Sequence, residues 1–280
     1  MSTIDPEALA LITSAIEKAD GLIIGAGAGM GVDSGLPDFR GQQGFWRAYP
    51  ALAEAVMDFT EIANPEAFRS RPRLAWGFYG HRFNLYRKTA SHDGYQILKR
   101  IGEKLANQYQ VFTSNVDGHF QSAGFAKDRV YECHGSINYW QCSRPCCDDI
   151  WSANKMLIET DDIRCQAIGQ LPVCEYCGEI ARPNILMFGD FGWNSQRSDR
   201  QAAMLRKNIS LMQNPVVIEC GAGTAIPTVR YFCEKQRGLL VRINPRDEQI
   251  GNCQGISLRC GALEALQLIE QVLQSNGFYD

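Results

Sequence analysis

Basic charge, long apolar runs and histidine are all scarce in this chain of 280 residues. Lys and Arg number 28 against 31 Asp and Glu, for a net charge of −3. The cations are scattered rather than clustered, which argues against direct binding of nucleic acid. No run reaches the ~18 apolar residues of a membrane-spanning helix. The first twenty positions mix charge with helical periodicity where a secretion signal would have a basic start and an apolar core. A soluble, cytoplasmic protein with no membrane partner is therefore expected. The third glycine of the hydride-transfer fingerprint G-x-G-x-x-G is missing as well. Met30, Val32 and Ser34 stand where it is required for starts at Gly25, Gly27 and Gly29. Of the acidic residues, only Glu54 lies near the ribose-binding position expected about 20 residues on. An ordinary nicotinamide oxidoreductase is disfavoured. There is no internal repeat, low-complexity tract or interdomain linker, and nothing indicates an oligomeric state.

Glycine is plentiful where it counts. Positions 25–41 read GAGAGMGVDSGLPDFRG and follow the apolar run Leu22-Ile23-Ile24. Glycine allows bare backbone to approach a ligand, so a strand that ends in such a turn predicts a phosphate cradle and a nucleotide site. Asp5 and Pro6 predict a helix start, with an apolar face of Ala8, Leu11, Ile12 and Ile16. The runs Val111-Phe112, Val130-Tyr131, Ile185-Leu186-Met187, Val216-Val217-Ile218 and Leu239-Leu240-Val241 predict buried parallel strands separated by helices. The fold class is thus α/β, with a doubly wound, Rossmann-like parallel sheet. Ser114-Asn115, His134-Gly135, Gly223-Thr224 and Asn244 fall at strand ends, where such sheets bind ligands. Two inserts interrupt the alternation, a helical one over 41–91 and a cysteine-bearing one over 140–182. The core is left as 1–40, 92–139 and 183–280 of a single domain.

Eleven cysteines in a chain of this size point to metal binding or burial rather than to a disulfide framework. Cys142-x3-Cys146 and Cys174-x2-Cys177 have the spacing that sets four thiolates around a tetrahedral zinc ion. Cys147 can replace Cys146 in this pattern, and Cys165 lies between the pairs without a partner. No open coordination position is implied, so the zinc is structural, and an insert this poor in apolar residues needs it to fold.

Taken together, Gly27-Ala28-Gly29 followed by Ser34-Gly35-Leu36-Pro37-Asp38-Phe39-Arg40-Gly41 resembles the signature loop of the sirtuins, NAD-dependent protein deacylases. The resemblance runs in motif order from position 23 to about 266. It implies that Gly27, Ala28, Gly29, Met30 and Gly31, with Asp38, Phe39 and Arg40, hold the phosphates of NAD and shield the reactive carbon. Thr113-Ser114-Asn115-Val116-Asp117-Gly118 resembles the motif whose Asn and Asp line the nicotinamide and ribose pocket. An amide and a carboxylate suit a carboxamide and ribose hydroxyls. Cys133-His134-Gly135-Ser136 matches the catalytic His-Gly, and an imidazole that titrates near neutrality suits His134 as general base toward a ribose hydroxyl.

Further segments carry the same implication. Gly223, Thr224, Asn244 and Cys260 fall where the family contacts the adenosine half, and Gly44-Phe45-Trp46 matches the flexible loop that closes over the cofactor. Positions 182–190, with Ile185, Met187 and Phe188, resemble the strand that pairs with an acyl-lysine peptide, a β-augmentation that makes little sequence demand. Tyr79 and Arg82 share a helix face and resemble the Tyr-x-x-Arg that holds the carboxylate of succinyl or malonyl lysine. The implied reaction transfers an acyl group from lysine to ADP-ribose and releases nicotinamide. The chain departs from the family pattern at Ser114, where Gln is usual, at Gly31 for Ser, at Ala26 for Thr, and at His119 for an apolar residue. The loss of Gln keeps two alternatives open: NAD hydrolysis or ADP-ribosyl transfer to protein, and a non-catalytic NAD sensor.

Overall fold

The computed structural model describes residues 4–37 and 41–280, so Asp38, Phe39 and Arg40 lie outside the described residues. Helix α1 (Pro6–Lys18) starts where the sequence places it: the Glu7 N–H donates to the Asp5 carboxylate at 3.0 Å, and Pro6 occupies the first turn. Its buried face is rotated from the expected one. Ile12, Thr13 and Ile16 are buried while Leu11 is 57% exposed. Thr13 is accommodated because its hydroxyl donates to the Leu9 carbonyl one turn back.

Strand β1 (Gly21–Ala26) is buried along its whole length. The region from 41 to 88 is mostly helical, with α2 (Gly41–Ala48), α3 (Pro50–Glu54), α4 (Phe59–Ile62), α5 (Pro65–Ser70) and α6 (Pro72–Lys88). Then come α7 (Asp93–Lys104), β2 (Tyr109–Thr113), α8 (His119–Ser122) and β3 (Val130–Glu132). The second insert holds β4 (Gly135–Cys142), β5 (Trp151–Ser152), β6 (Thr160–Asp161), β7 (Gln166–Ala167) and β8 (Ala181–Ile185). The chain closes with α9 (Gln196–Leu211), β9 (Pro215–Cys220), α10 (Thr228–Glu234), β10 (Leu240–Ile243), β11 (Gly255–Leu258) and α11 (Ala262–Ser275).

Six parallel strands form the main sheet in the order β11-β10-β9-β1-β2-β3. This is the doubly wound order 3-2-1-4-5-6, which reverses direction between β1 and β9 and so opens a crevice at their carboxyl ends. Alternate side chains feed opposite faces. Leu22, Ile24, Val216 and Ile218 pack with α1, α7 and α11, while Ile23, Val217 and Leu240 pack with Leu205 of α9 and Val229 of α10. Each such side chain contributes about 1.5–3 kcal/mol on burial. Among the described residues, no helix is long and apolar enough to cross a membrane.

One expected strand belongs elsewhere. The run at 185–187 does not join the parallel sheet; β8 ends at Ile185 and pairs antiparallel with β4 in a separate sheet ordered β5-β4-β8. An apolar run reports burial, not the partner or direction of the strand. Strand β11 escapes sequence reading because it is a short, half-exposed edge. The two inserts share one core: Phe45, Tyr49, Phe68, Trp76 and Phe83 of the helices pack with Trp140, Ile158, Cys165 and Met187. A Cβ at Gly77 would collide with the Cys165 carbonyl, so α6 meets the cysteine-bearing insert backbone to backbone.

Candidate active site

At the end of β1 the chain turns into a 3-10 segment, Ala28–Ser34. Here Gly27 has no room for a side chain, since a Cβ would sit 2.7 Å from Ala222 Cα and from the Gly221 carbonyl. The loop after β1 therefore lies directly on the loop after β9. Gly27 N–H donates to Cys220 O and Gly29 N–H to Gly221 O, both at 3.0 Å. Strand β2 supplies the next wall. Thr113 Oγ1 donates to Ala26 O at 3.0 Å and accepts the Asn115 N–H, while Asn115 Nδ2 donates to Gly27 O at 3.0 Å. Ser114 N–H also reaches Ala26 O, at 3.2 Å.

His134 follows β3 by two residues. Its ring is hydrogen-bonded to the Ser114 backbone, and its carbonyl accepts the Leu186 N–H at 2.9 Å. Burial lowers the imidazole pKa below the usual value, and the Ser114 bond opposes only part of that. His134 is thus bonded to Ser114, and Ser114 and its neighbour Asn115 are bonded to Ala26 and Gly27, with Ser114, Asn115 and His134 half-buried rather than sealed. Asp117 is half-buried too, and its Oδ1 accepts the His119 N–H at 2.8 Å.

On the other side of the crevice, Asn244 Nδ2 donates to Ala222 O at 2.8 Å and its Oδ1 accepts the Arg246 and Asp247 N–H groups. Gly223 and Thr224 are half-buried and exposed, and Cys260 is buried at the end of β11, its thiol pushed up to about 11 by burial. Sequence reasoning missed the groups that brace this wall. Arg230 donates to Asp247 O and Gln249 O, both at 2.6 Å, and Arg242 donates to Gln249 O while paired with Glu219. Asp33 Oδ2 accepts the Leu263 N–H at 2.9 Å and ties the glycine turn to the start of α11. His92 Nε2 is bonded to Met30 O at 2.9 Å. No local pattern announces the two arginines; His92 sits at a helix N-cap, which is a signal for capping only.

Other expected residues lie farther along the molecule. Gly44-Phe45-Trp46 is part of helix α2, not of a loop: Phe45 is buried among aromatic rings and Trp46 Nε1 donates to Met57 O at 2.8 Å. Ile185 and Met187 point into the core, whereas Leu186 and Phe188 are partly exposed and the Phe188 N–H is bonded to Ala63 O. Asp190, fully buried, takes both Arg182 terminal nitrogens at 2.7 and 2.8 Å and also accepts the Met187 and Gly192 N–H groups. Tyr79 is buried against Phe68 and Phe78. Arg82, 9% exposed, lies over the Phe78 and Tyr86 rings and donates to the Tyr86 hydroxyl.

The four expected thiols converge. Cys142, Cys146, Cys174 and Cys177 have sulfurs within 4.8 Å of one another, with Cys142–Cys177 and Cys146–Cys174 at 3.6 Å. Tetrahedral zinc with Zn–S of about 2.3 Å separates its sulfurs by about 3.8 Å, so the cluster fits that ion. Cys147 is not part of the group, and Cys165 is buried against α6.

Residues 27–202 match the model of the Sir2 family. An NAD-dependent protein deacylase of Pyrococcus furiosus is 30% identical over 264 residues, covering 93% of this chain and 96% of the relative. One from Aquifex aeolicus is 34% identical over 226 residues, or 80% and 83% of the two chains. A Sir2 homologue solved as an ADP-ribose complex superposes with a TM-score of 0.68 at 25% identity, covering 98% of each chain. With the doubly wound sheet, the glycine turn bound to Asn115 and the four-thiol cluster, these matches establish that the chain belongs to the Sir2 family.

Proposed function

We propose that this protein is an NAD-dependent protein-lysine deacylase acting in the cytoplasm. The observation that carries the reading is the bonding of Asn115 to Gly27 and of the His134 ring to Ser114, the residue next to Asn115, at the point where the sheet reverses direction. Bound in this crevice, NAD would supply a glycosidic bond whose cleavage frees nicotinamide and leaves a ribose able to accept an acyl group. The backbone of residues 27–31 holds its phosphates, Asn115 and Asp117 orient nicotinamide and its ribose, and Asn244, Gly223, Thr224 and Cys260 receive the adenosine end. His134, kept neutral by burial, removes a proton from a ribose hydroxyl through the ring nitrogen not bound to Ser114.

Residues 185–188 take the substrate peptide as an added strand, held in place by the Arg182–Asp190 pair. Tyr79 and Arg82, joined by Tyr86, accept an acyl group that ends in a carboxylate, which makes succinyl- or malonyl-lysine the preferred substrate. Products are free lysine, nicotinamide and O-acyl-ADP-ribose. The four thiolates hold a zinc ion that shapes the insert and takes no part in the chemistry.

The experiment is incubation with NAD, with and without acyl-lysine peptides, followed by nicotinamide and acyl-ADP-ribose. Release that depends on peptide supports deacylation. Release without peptide favours the second reading, NAD hydrolysis or ADP-ribosyl transfer, which the short Ser114 side chain beside His134 supports. Binding of NAD without turnover, unchanged by His134→Ala, would mark a sensor instead.

A further inference from the structure

Behind the turn that carries Asn115 and Asp117 lies a group of buried polar side chains that the proposed reaction does not use. Gly118, at φ +78°, turns the chain into α8, and the His119 side chain enters the interior. The imidazole is 1% exposed and, among the described residues, has no hydrogen-bond partner at either ring nitrogen. Tyr95 is buried beside it, edge to face at 5.9 Å between centroids, and its hydroxyl likewise lacks a hydrogen-bond partner among the described residues. On its other flank Tyr95 meets His92 at 5.0 Å, and His92 Nε2 is bonded to the Met30 carbonyl in the glycine turn. Three polar rings therefore run from one loop of the crevice to the other.

Such a row is costly where it stands. Imidazole and phenol each bring polar atoms that need partners, and Tyr95 also packs on the Phe120 ring within a core cluster that includes Met30 and Leu98. An aliphatic side chain at 119 would fill the same space without an unpaired group. The Asp117 carboxylate, one turn of chain away, already accepts the His119 backbone N–H at 2.8 Å. After burial, that charge is the next largest influence raising the Tyr95 pKa, so the hydroxyl keeps its proton and remains a donor. Hydrogen bonds at such sites often tighten only once the ligand is in place.

We infer that His119, backed by Tyr95, is a positioning residue for the nicotinamide end of the crevice, acting through Asp117. The inference rests on the NAD reading above. With the nicotinamide carboxamide bound, a His119 ring N–H and the Tyr95 hydroxyl close on the Asp117 carboxylate from behind and fix its orientation toward that carboxamide. ADP-ribose, which lacks nicotinamide, makes no call on this support.

The test is titration calorimetry of NAD and of ADP-ribose against wild type, His119→Leu, His119→Gln and Tyr95→Phe, with thermal unfolding of each. His119→Leu should weaken NAD by about fivefold or more, the worth of one net hydrogen bond, while ADP-ribose stays within about twofold. His119→Gln, which retains a donor, should recover most of the loss, and His119→Leu should melt no lower than wild type. Unchanged NAD affinity in His119→Leu overturns the inference, as does equal weakening of both ligands. If His119→Leu does not fold, Tyr95→Phe decides by the same comparison. A wild type that binds neither ligand refutes the NAD reading itself, an outcome distinct from wild type and variant binding alike.

Discussion

The Arg82 guanidinium is held by the Tyr86 hydroxyl, one helical turn on, with Nε at 2.8 Å and Nη2 at 2.6 Å. Burial keeps the Tyr86 hydroxyl protonated by pushing its pKa up, although the Arg82 charge pulls the other way. The arginine is thereby fixed in one orientation above the Phe78 ring, which lowers the entropic cost of meeting a carboxylate.

Replacement of Arg82 by Met should therefore act on acidic acyl groups alone. Succinyl-peptide kcat/KM should fall about ten- to a hundredfold, the worth of one charge-assisted hydrogen bond. Acetyl-peptide turnover should change by no more than about threefold. Steady-state assays of both peptides check this, and equal losses would exclude selective carboxylate recognition.

The proposed base has a pH signature. Burial depresses the His134 pKa, so the imidazole is neutral, and able to accept a proton, from below the ordinary histidine value of about 6.5 upward. The acid limb of kcat should fall below that pH, with activity lost as pH drops through the depressed value. His134→Ala should cost about 10²- to 10⁴-fold and abolish the limb. A limb that survives the substitution would assign the base elsewhere.

Zinc removal should loosen more than the insert that binds it. Trp140, two residues before Cys142, packs on Trp76 of α6 at 4.9 Å, and Arg73 of the same helix donates to Ala167 O and Gly169 O. A chelator should therefore change tryptophan fluorescence and open both 140–182 and 72–88 to protease. Elemental analysis should find one zinc per chain beforehand. A protein free of metal yet fully folded would contradict the four-thiolate site.

Asp190→Ala should be among the most damaging single changes. It leaves the buried Arg182 guanidinium unpaired and frees the Met187 and Gly192 N–H groups, at a cost of about 3–5 kcal/mol. Denaturant unfolding measures the loss, and the KM for peptide should rise with it while NAD binding holds. A double replacement, Arg182→Met with Asp190→Leu, should recover much of the stability, because a buried ion pair can be exchanged for apolar packing.

Local chemistry was legible in the chain before folding. The apolar runs gave β1, β2, β9 and β10, the alternating glycines gave the turn after β1, and cysteine spacing gave the four thiols. Each of these rests on neighbours a few residues apart, so the pattern and the structure share one length scale. The aromatic segment at Phe45 and Trp46 was harder, because tertiary packing against Tyr49, Phe59 and Phe78 sets its helix where resemblance implied a loop.

By itself, then, the sequence determined the parallel α/β class, the glycine turn and the metal cluster. Only the tertiary structure decided that residues 185–187 follow a strand of a second, antiparallel sheet, that Arg230 and Arg242 brace the loop after β10, and that the His119 ring nitrogens and the Tyr95 hydroxyl are buried without hydrogen-bond partners among the described residues. The reason is physical. An apolar run fixes how much surface must leave water, whereas strand direction, ion-pair partners and unpaired polar atoms depend on which distant segments the topology brings together.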